Sequence, residues 1–477
     1  MVVSTFFLLL CFLMSSKATD LPGFKIRVTD GGLSFVAEKV KKEVENLPKS
    51  KYRNLPDQHG STSGMSYSVT GLCITYAKMA YFSIQPMRTG ELFVSIKGTS
   101  VQIHGNWQLD NIAGGTLDVI VSNLWLKGSI RVGYDGTSRP TIHADSSSCE
   151  FGLRYIRVHL DGGPRWIIDK FHIEDKIQND LTDTLKTEAC PEFVTFINKN
   201  AANRLRSLKV LYPITKYSEL DIGLTSKPLL NGSITTDHKG AVYQNGNHTK
   251  PPFTVPPIPV CEDESNMLII WITDYVANSA CYVLHSTNYF QYNLTQEKIP
   301  ADVNLNLNTS LFPMTVLIPQ LSKIYPKKLI QINVNTTAPP KVTFGLNKVS
   351  INVTGDVVAY VIQSSDQLTY LFTLGSTLNI TAKLGTSGTN VTWHDVSICF
   401  DVQLLNTTIT FKIESLRAAL KIALKTYIMP LVKKKGLDGI SFPIVPLFGH
   451  QFSFQNTTIK QRQNFLMLGA DIYGITG

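Results

Sequence analysis

The sequence predicts an α+β chain built as two similar, elongated halves. Three observations predict it. The order helix, antiparallel strands, long helix occurs twice along the 477 residues. A strap, Lys250-Pro-Pro-Phe-Thr-Val-Pro-Pro-Ile-Pro259, separates the two occurrences, and its five Pro favour an extended segment without a core of its own. Asn-x-Ser/Thr sequons are confined to the second part. None of the nine Asn before residue 231 carries one, whereas ten of the nineteen from there onward do.

The elements follow in order. Phe6 to Met14 is a short apolar run, and Ser16-Lys17-Ala18 then offers small residues suited to a signal peptidase. The run falls short of the roughly 20 residues that span a bilayer. Residues 1–18 therefore read as a signal peptide, with a secreted, extracellular product. Residues 19–249 form the first domain, 250–260 the linker and 261–477 the second domain.

In the first domain Leu33, Val36, Val40, Val44 and Leu47 share one side of a helix that starts near Asp30 and stops at Pro48. Alternation marks strands at Leu92/Val94/Ile96, Val101/Ile103, Leu117/Val119/Val121 and Ile130/Val132/Tyr134. Gly98, Gly114-Gly115 and Gly128 read as the turns between them. A long helix follows through Ile173, Ile177, Leu181 and Leu185 toward Phe193, Ile197, Ala201, Leu205 and Leu208.

The second domain repeats the plan. Leu268, Ile272, Val276 and Ala280 are spaced by four and predict a helix over 265–284. Strands follow at Ile330/Ile332/Val334, Ile351/Val353, Leu378/Ile380/Ala382/Leu384 and Ile398/Phe400/Val402/Leu404. Leu416, Ala419, Leu420, Ala423, Leu424, Tyr427 and Leu431 form the stripe of its long helix. Pro430 bends or ends that helix, and Lys433-Lys434-Lys435-Gly436 suits a helix terminus.

The sequons start at Asn231, Asn247, Asn293, Asn308, Asn335, Asn352, Asn379, Asn390, Asn406 and Asn456. Asn352 and Asn379 alternate with apolar neighbours and Asn335 follows Val334, so all three should face away from the core. Asn406 shares the parity of Leu404 and is expected just past its strand.

Composition excludes several functions. The net charge of +9 is spread thinly over both halves, with no dense basic stripe among aromatics, so no nucleic-acid partner is expected. Beyond Cys11 of the leader there are six Cys, which allow fifteen pairings. Their density is too low for a disulfide-stapled fold. No Gly-x-Ser-x-Gly elbow is present, since Gly60-Ser-Thr-Ser-Gly64 has Thr at its centre. No His-Glu-x-x-His or phosphate-binding glycine loop occurs, and His104, His143, His159 and His172 lack metal-ligand spacing. The chain is not expected to be an enzyme or to need a cofactor or metal.

Seven short motifs occur in a fixed order. They are Pro22-Gly-Phe-Lys-Ile-Arg27 with Gly32-Leu33, Arg139-Pro-Thr-Ile142, the pair Cys149 and Cys190, and Asn247-His-Thr-Lys-Pro-Pro-Phe253. Ile272-Thr-Asp-Tyr275, Ala338-Pro-Pro340 and Gln463-Asn-Phe-Leu-Met-Leu-Gly-Ala-Asp471 complete the series. In this the chain resembles the bactericidal/permeability-increasing protein family, with lipopolysaccharide-binding protein and the plasma lipid-transfer proteins, over essentially its whole mature length. The resemblance implies a boomerang of two barrel-like halves, each a twisted antiparallel sheet wrapping a long helix, joined by a central sheet. It implies an apolar pocket for acyl chains in each half and a disulfide between Cys149 and Cys190. Cys73, Cys261, Cys281 and Cys399 gain no assigned partner, with Cys261–Cys281 one open pairing.

The implied partners are a phospholipid or another amphipathic lipid, held for sequestration or transfer, and transiently a membrane or lipoprotein surface. Bacterial lipopolysaccharide, bound in innate immunity, is the alternative. Leu33, Val36, Val40, Ile173, Ile177, Leu181, Leu420 and Leu424 are candidate pocket walls, with ordinary core packing as the competing reading. Antibacterial family members present lysines at the far tip of the first half. Here Asp57–Gly64 and the hairpin around Trp107 carry no Lys or Arg. Lys49, Lys51 and Arg53 are the remaining candidates for an anionic headgroup, against the reading of a solvated helix end.

Overall fold

A computed structural model describes residues 21–45, 56–259, 265–299, 305–364, 367–430, 434, 438, 440–441 and 451–476. The signal peptide of residues 1–18, Leu47 and Pro48, the headgroup candidates Lys49, Lys51 and Arg53, Cys261, and most of the Lys433–Gly436 run lie outside these residues.

A seven-stranded antiparallel sheet forms the first half. Its main path runs Gln58–Thr62, Met65–Lys78, Glu91–Leu109, Ala113–Tyr134 and Pro140–Gly152, with Tyr81–Met87 and Tyr155–Asp161 paired off it. Alternation gives the curled sheet one apolar face, which packs on the long helix. Val69, Leu109, Leu117, Val119 and Val121 point inward and meet Ile173 and Ile177, which are 0% and 1% exposed. That helix runs through Ile173–Thr195, a π-helical stretch Phe196–Ala201 and Ala202–Arg206. The Cys149–Cys190 disulfide fastens it to the strand Pro140–Gly152.

The second half repeats the plan with Tyr292–Leu294, Leu329–Thr336, Lys348–Ser364, Gln367–Ser387, Asn390–Thr407 and Ile440–Ser441, and Lys341–Gly345 paired off Lys348–Ser364. Its inner face packs Val361, Leu371, Leu374 and Val402 against Leu416 of the helix Ile413–Ala423. Among the described residues, no helix is long and apolar enough to cross a membrane.

A six-stranded sheet joins the halves. Its order is Leu229–Leu230, Ile234–His238, Phe24–Val28, Leu268–Thr273, Phe465–Thr476 and Gln451–Arg462. Ile26 lies opposite Thr236 on one side and Ile270 on the other, and Ile270 opposite Leu468. The molecule is thus a two-domain boomerang hinged on strands contributed by both halves. The strap between Lys250 and Pro259 carries no helix or strand, and Ile258 packs on Trp271, Phe465 and Met467 of the central sheet.

Three local expectations are corrected. The helix expected over 265–284 is a strand, Leu268–Thr273, followed by a helix, Asp274–Ser286. Leu268 to Trp271 are all buried, because the strand is covered on both faces and flanked on both edges. A continuous apolar run of this kind fits a spacing of four as well as a buried strand. Gly98 and Gly128 are not turns. Gly98 (φ +64°) sits at a bulge inside Glu91–Leu109, and Gly128 lies inside Ala113–Tyr134, where a Cβ would come within 2.5 Å of the Phe193 ring. Gly114 and Gly115 likewise belong to that strand, and the hairpin turns at Asp110–Ile112. Asn406 lies within its strand rather than past it. A bulge at Leu405 shifts the register, so Leu404 opposes Leu374 and Asn406 opposes Thr373, which turns Asn406 to solvent.

Candidate functional site

The site is built where three parts of the chain converge in the first half. The strand Phe24–Val28 of the central sheet supplies Phe24 and Ile26. The end of the long helix supplies Leu205 and Leu208. The curled sheet supplies Leu92, Val132 and Ile142. Between them lies a cavity of about 280 Å³, closed on a further side by the segment from Val210 to His238. These residues are apolar for separate local reasons. Phe24 and Ile26 alternate along one face of their strand, Leu205 continues the helix stripe, and Val132 is an inward position of its strand. The helix stops at Arg206, and Leu205 near its end and Leu208 just past it border the cavity.

Two polar side chains on this wall, His238 and Thr236, satisfy each other. His238 stacks on Phe24 with ring centroids 4.6 Å apart and planes 3° from parallel. Its Nδ1–H donates to the Ile222 carbonyl at 2.6 Å, which leaves Nε2 to accept from the Thr236 hydroxyl at 2.8 Å. Burial pushes the His238 pKa down; the Ile222 carbonyl, Asp237 and Asp221 oppose this without reversing it. The imidazole is therefore neutral, and this pair asks no polar partner of an occupant. Lys209 is the cationic exception. Its side chain lines the cavity and the residue is exposed, while the preceding carbonyl, of Leu208, accepts from Arg139 Nε at 2.8 Å.

The sequence candidates sit elsewhere. Leu33 is buried at the foot of its helix, and Val36 and Val40 are half-buried. Ile173 and Ile177 belong to the packed core, with Leu181 against it. Ile177 and Leu181 also reach a more polar groove of about 270 Å³ lined by Asp180 and Asp183. Leu420 packs on the core of the second half, and Leu424 is half-buried. None of the eight lines the apolar cavity. Sequence reasoning did place Leu205 and Leu208 on the helix stripe and Phe24 and Ile26 in a motif. Alternation also marked Leu92 and Val132. No periodicity within one segment tells that these meet around open space.

The tip of the first half is closed around its hairpin, and residues 106–115 there carry no Lys or Arg. Trp107 is 2% exposed, and its Nε1 donates to the Asp161 carbonyl at 3.1 Å. The shallow cavity beside it is lined by Gln108, Asn111 and Ile112 without a cation. Arg165 nearby is paired with both Asp169 and Glu174.

Among the described residues Cys73, Cys281 and Cys399 are free. No cluster of three potential metal ligands occurs among the described residues.

The family model described as LBP / BPI / CETP family, N-terminal domain, matches residues 32–199, and the C-terminal domain model of the same family matches residues 213–473. Bactericidal permeability-increasing protein of Sebastes schlegelii is 25% identical over 467 residues, covering 94% of this chain and 95% of that protein. Lipopolysaccharide-binding protein of Homo sapiens is 23% identical, covering 98% and 97%. Phospholipid transfer protein of Mus musculus is 21% identical, covering 98% and 93%. A crystal structure of lipopolysaccharide binding protein shares the fold, with a TM-score of 0.56 at 21% identity over 95% of this chain and 99% of that one.

Proposed function

The chain belongs to the LBP / BPI / CETP family of lipid- and lipopolysaccharide-binding proteins, and from that premise we propose that it is a secreted glycoprotein holding the acyl chains of a phospholipid or related amphipathic lipid. Its action is sequestration or transfer of that lipid, without catalytic turnover. One observation carries the reading: the cavity between Ile26, Val132 and Leu208 is lined mostly by apolar side chains, and His238 and Thr236 on its wall bond to each other, His238 also to the Ile222 carbonyl. Removing a methylene from water is worth about 0.8 kcal/mol, so a chain of a dozen methylenes gains roughly 10 kcal/mol with no reacting group. Lys209 supports an anionic or zwitterionic headgroup at the cavity edge, where its ammonium meets a phosphate at the aqueous side.

Uptake of a phospholipid with a fluorescent acyl chain tests this reading. Saturable emission enhancement supports it. No uptake, in a protein that co-purifies with no lipid, overturns it.

The second reading is capture of bacterial lipopolysaccharide, favoured by relatives named for that ligand. Salt-sensitive endotoxin affinity that weakens in a Lys49→Glu, Lys51→Glu, Arg53→Glu variant supports it. Absence of binding at low salt rejects it.

A further inference from the structure

At the far end of the second half, large apolar side chains stand in solvent. Phe312 is 70% exposed, Val316 65%, Leu311 49% and Ile324 46%. One turn carries the first three. Thr315 N–H donates to the Leu311 carbonyl and Leu317 N–H to the Pro313 carbonyl, so Leu311 to Val316 form a single knuckle around the short helix Met314–Leu317. Its inner side chains are committed to the core, with Met314, Ile318 and Leu321 buried. The outer ones have nothing of this kind, which is the reverse of what a solvated loop tip requires.

Cations are held beside the knuckle. Lys327 N–H donates to Ser310 Oγ at 2.8 Å, and Thr309 N–H donates to the Lys328 carbonyl at 2.9 Å. These bonds fix the Lys327-Lys328 turn against the residues just before Leu311. Lys323 lies on the following short helix, Pro319–Ile324, and both it and Lys327 are exposed. From residue 303 to residue 355 the sequence contains five Lys and no Asp or Glu. The knuckle is therefore apolar, and the sequence that flanks it carries one sign of charge.

Position completes the picture. Leu329 pairs with Ile362 at one end of the strand Lys348–Ser364, whereas the other end of the same sheet reaches the central sheet through Gln461 Nε2 and the Leu384 carbonyl at 3.1 Å. That strand is 17 residues long. At about 3.3 Å per residue it holds the knuckle several tens of ångströms from the hinge.

We propose that this tip is a membrane-docking element, in which Phe312, Val316 and Leu311 enter the outer layer of an anionic bilayer while Lys323 and Lys327 engage its phosphates. Apolar wedge and cationic collar are the two components of interfacial binding. The charge pattern selects the occupant, because a neutral surface would leave the lysines without counter-charge. The proposal goes beyond lipid holding in the cavity of the first half and does not depend on it.

Sedimentation with vesicles of phosphatidylcholine, with and without phosphatidylglycerol, tests the proposal. Asn308 begins a sequon four residues before Phe312, so each protein is tested both with Asn308 intact and as Asn308→Gln. Binding to the anionic vesicles is expected to fall at least tenfold in Phe312→Asp/Val316→Asp. Lys323→Glu/Lys327→Glu is expected to lose at least about fivefold per lysine. Uptake of the fluorescent phospholipid should match the parent protein in both, which separates failure of the tip from failure of the cavity. A Phe312→Trp protein adds a readout without a new charge: vesicles with brominated acyl chains should quench its added emission. Unchanged binding in both double variants, equal binding to neutral and anionic vesicles at low salt, or no quenching would overturn the proposal.

Discussion

His238 links protonation to the cavity wall. Its pKa lies below the ordinary imidazole value because the ring is desolvated. Below about pH 6.5 the unfolded chain therefore binds a proton that the folded chain does not, and stability falls as pH drops toward the folded pKa. Thermal melts across pH 5 to 8 should show this loss, and His238→Gln should flatten it. An unchanged profile in that variant would contradict the assignment. Asn352 and Asn379 are directly opposed across two strands, and Asn352 Nδ2 donates to Asn379 Oδ1 at 2.9 Å. Two glycans leaving this directly opposed pair would crowd each other, so glycopeptide mass spectrometry should find one of the two sites occupied per molecule. Alternation alone placed these Asn on the outer face. It failed for Asn406, because a bulge at Leu405 is a pairing event between strands and leaves no mark in its own sequence.

At the element scale the long helix was legible from Ile173 to Leu205, since its stripe keeps one period over many turns. The strand Leu268–Thr273 was not. Its residues are apolar on every side because two strands flank it and both faces are covered, and such a run has no period to read. Gly98 and Gly128 were misread for a related reason. A glycine serves a turn and a close approach equally well, and the ring of Phe193 over Gly128 is a tertiary fact. The disulfide Cys149–Cys190 fixes the helix on its sheet across a sequence separation of 41 residues. Replacing both cysteines by Ser should lower unfolding free energy by about 2–4 kcal/mol, read by denaturant titration. Core and cavity positions should separate in the same way. Ile177→Ala is expected to cost about 2–5 kcal/mol of stability, whereas Leu208→Trp should leave the melt nearly unchanged and block uptake of the fluorescent lipid.

The whole molecule is two versions of one plan, and this duplication was legible because helix, strands and long helix recur around a proline strap. The family matches divide the chain between residues 199 and 213, where the long helix ends, ahead of the strap. The cavity lies near that division. Its walls come from segments between Phe24 and His238 that only the curl of the sheet brings together. That is why its individual residues escaped a reading of helix stripes, although the presence of an acyl pocket in this half was implied by the resemblance. The central claim is that this cavity carries a lipid. Native mass spectrometry of the purified, deglycosylated protein and of Leu208→Trp tests it most directly. The wild-type chain should carry an added mass that fragments to fatty acyl chains and a polar headgroup, and the variant should lack it. A wild-type chain at its bare mass, or equal lipid in both proteins, would contradict the account.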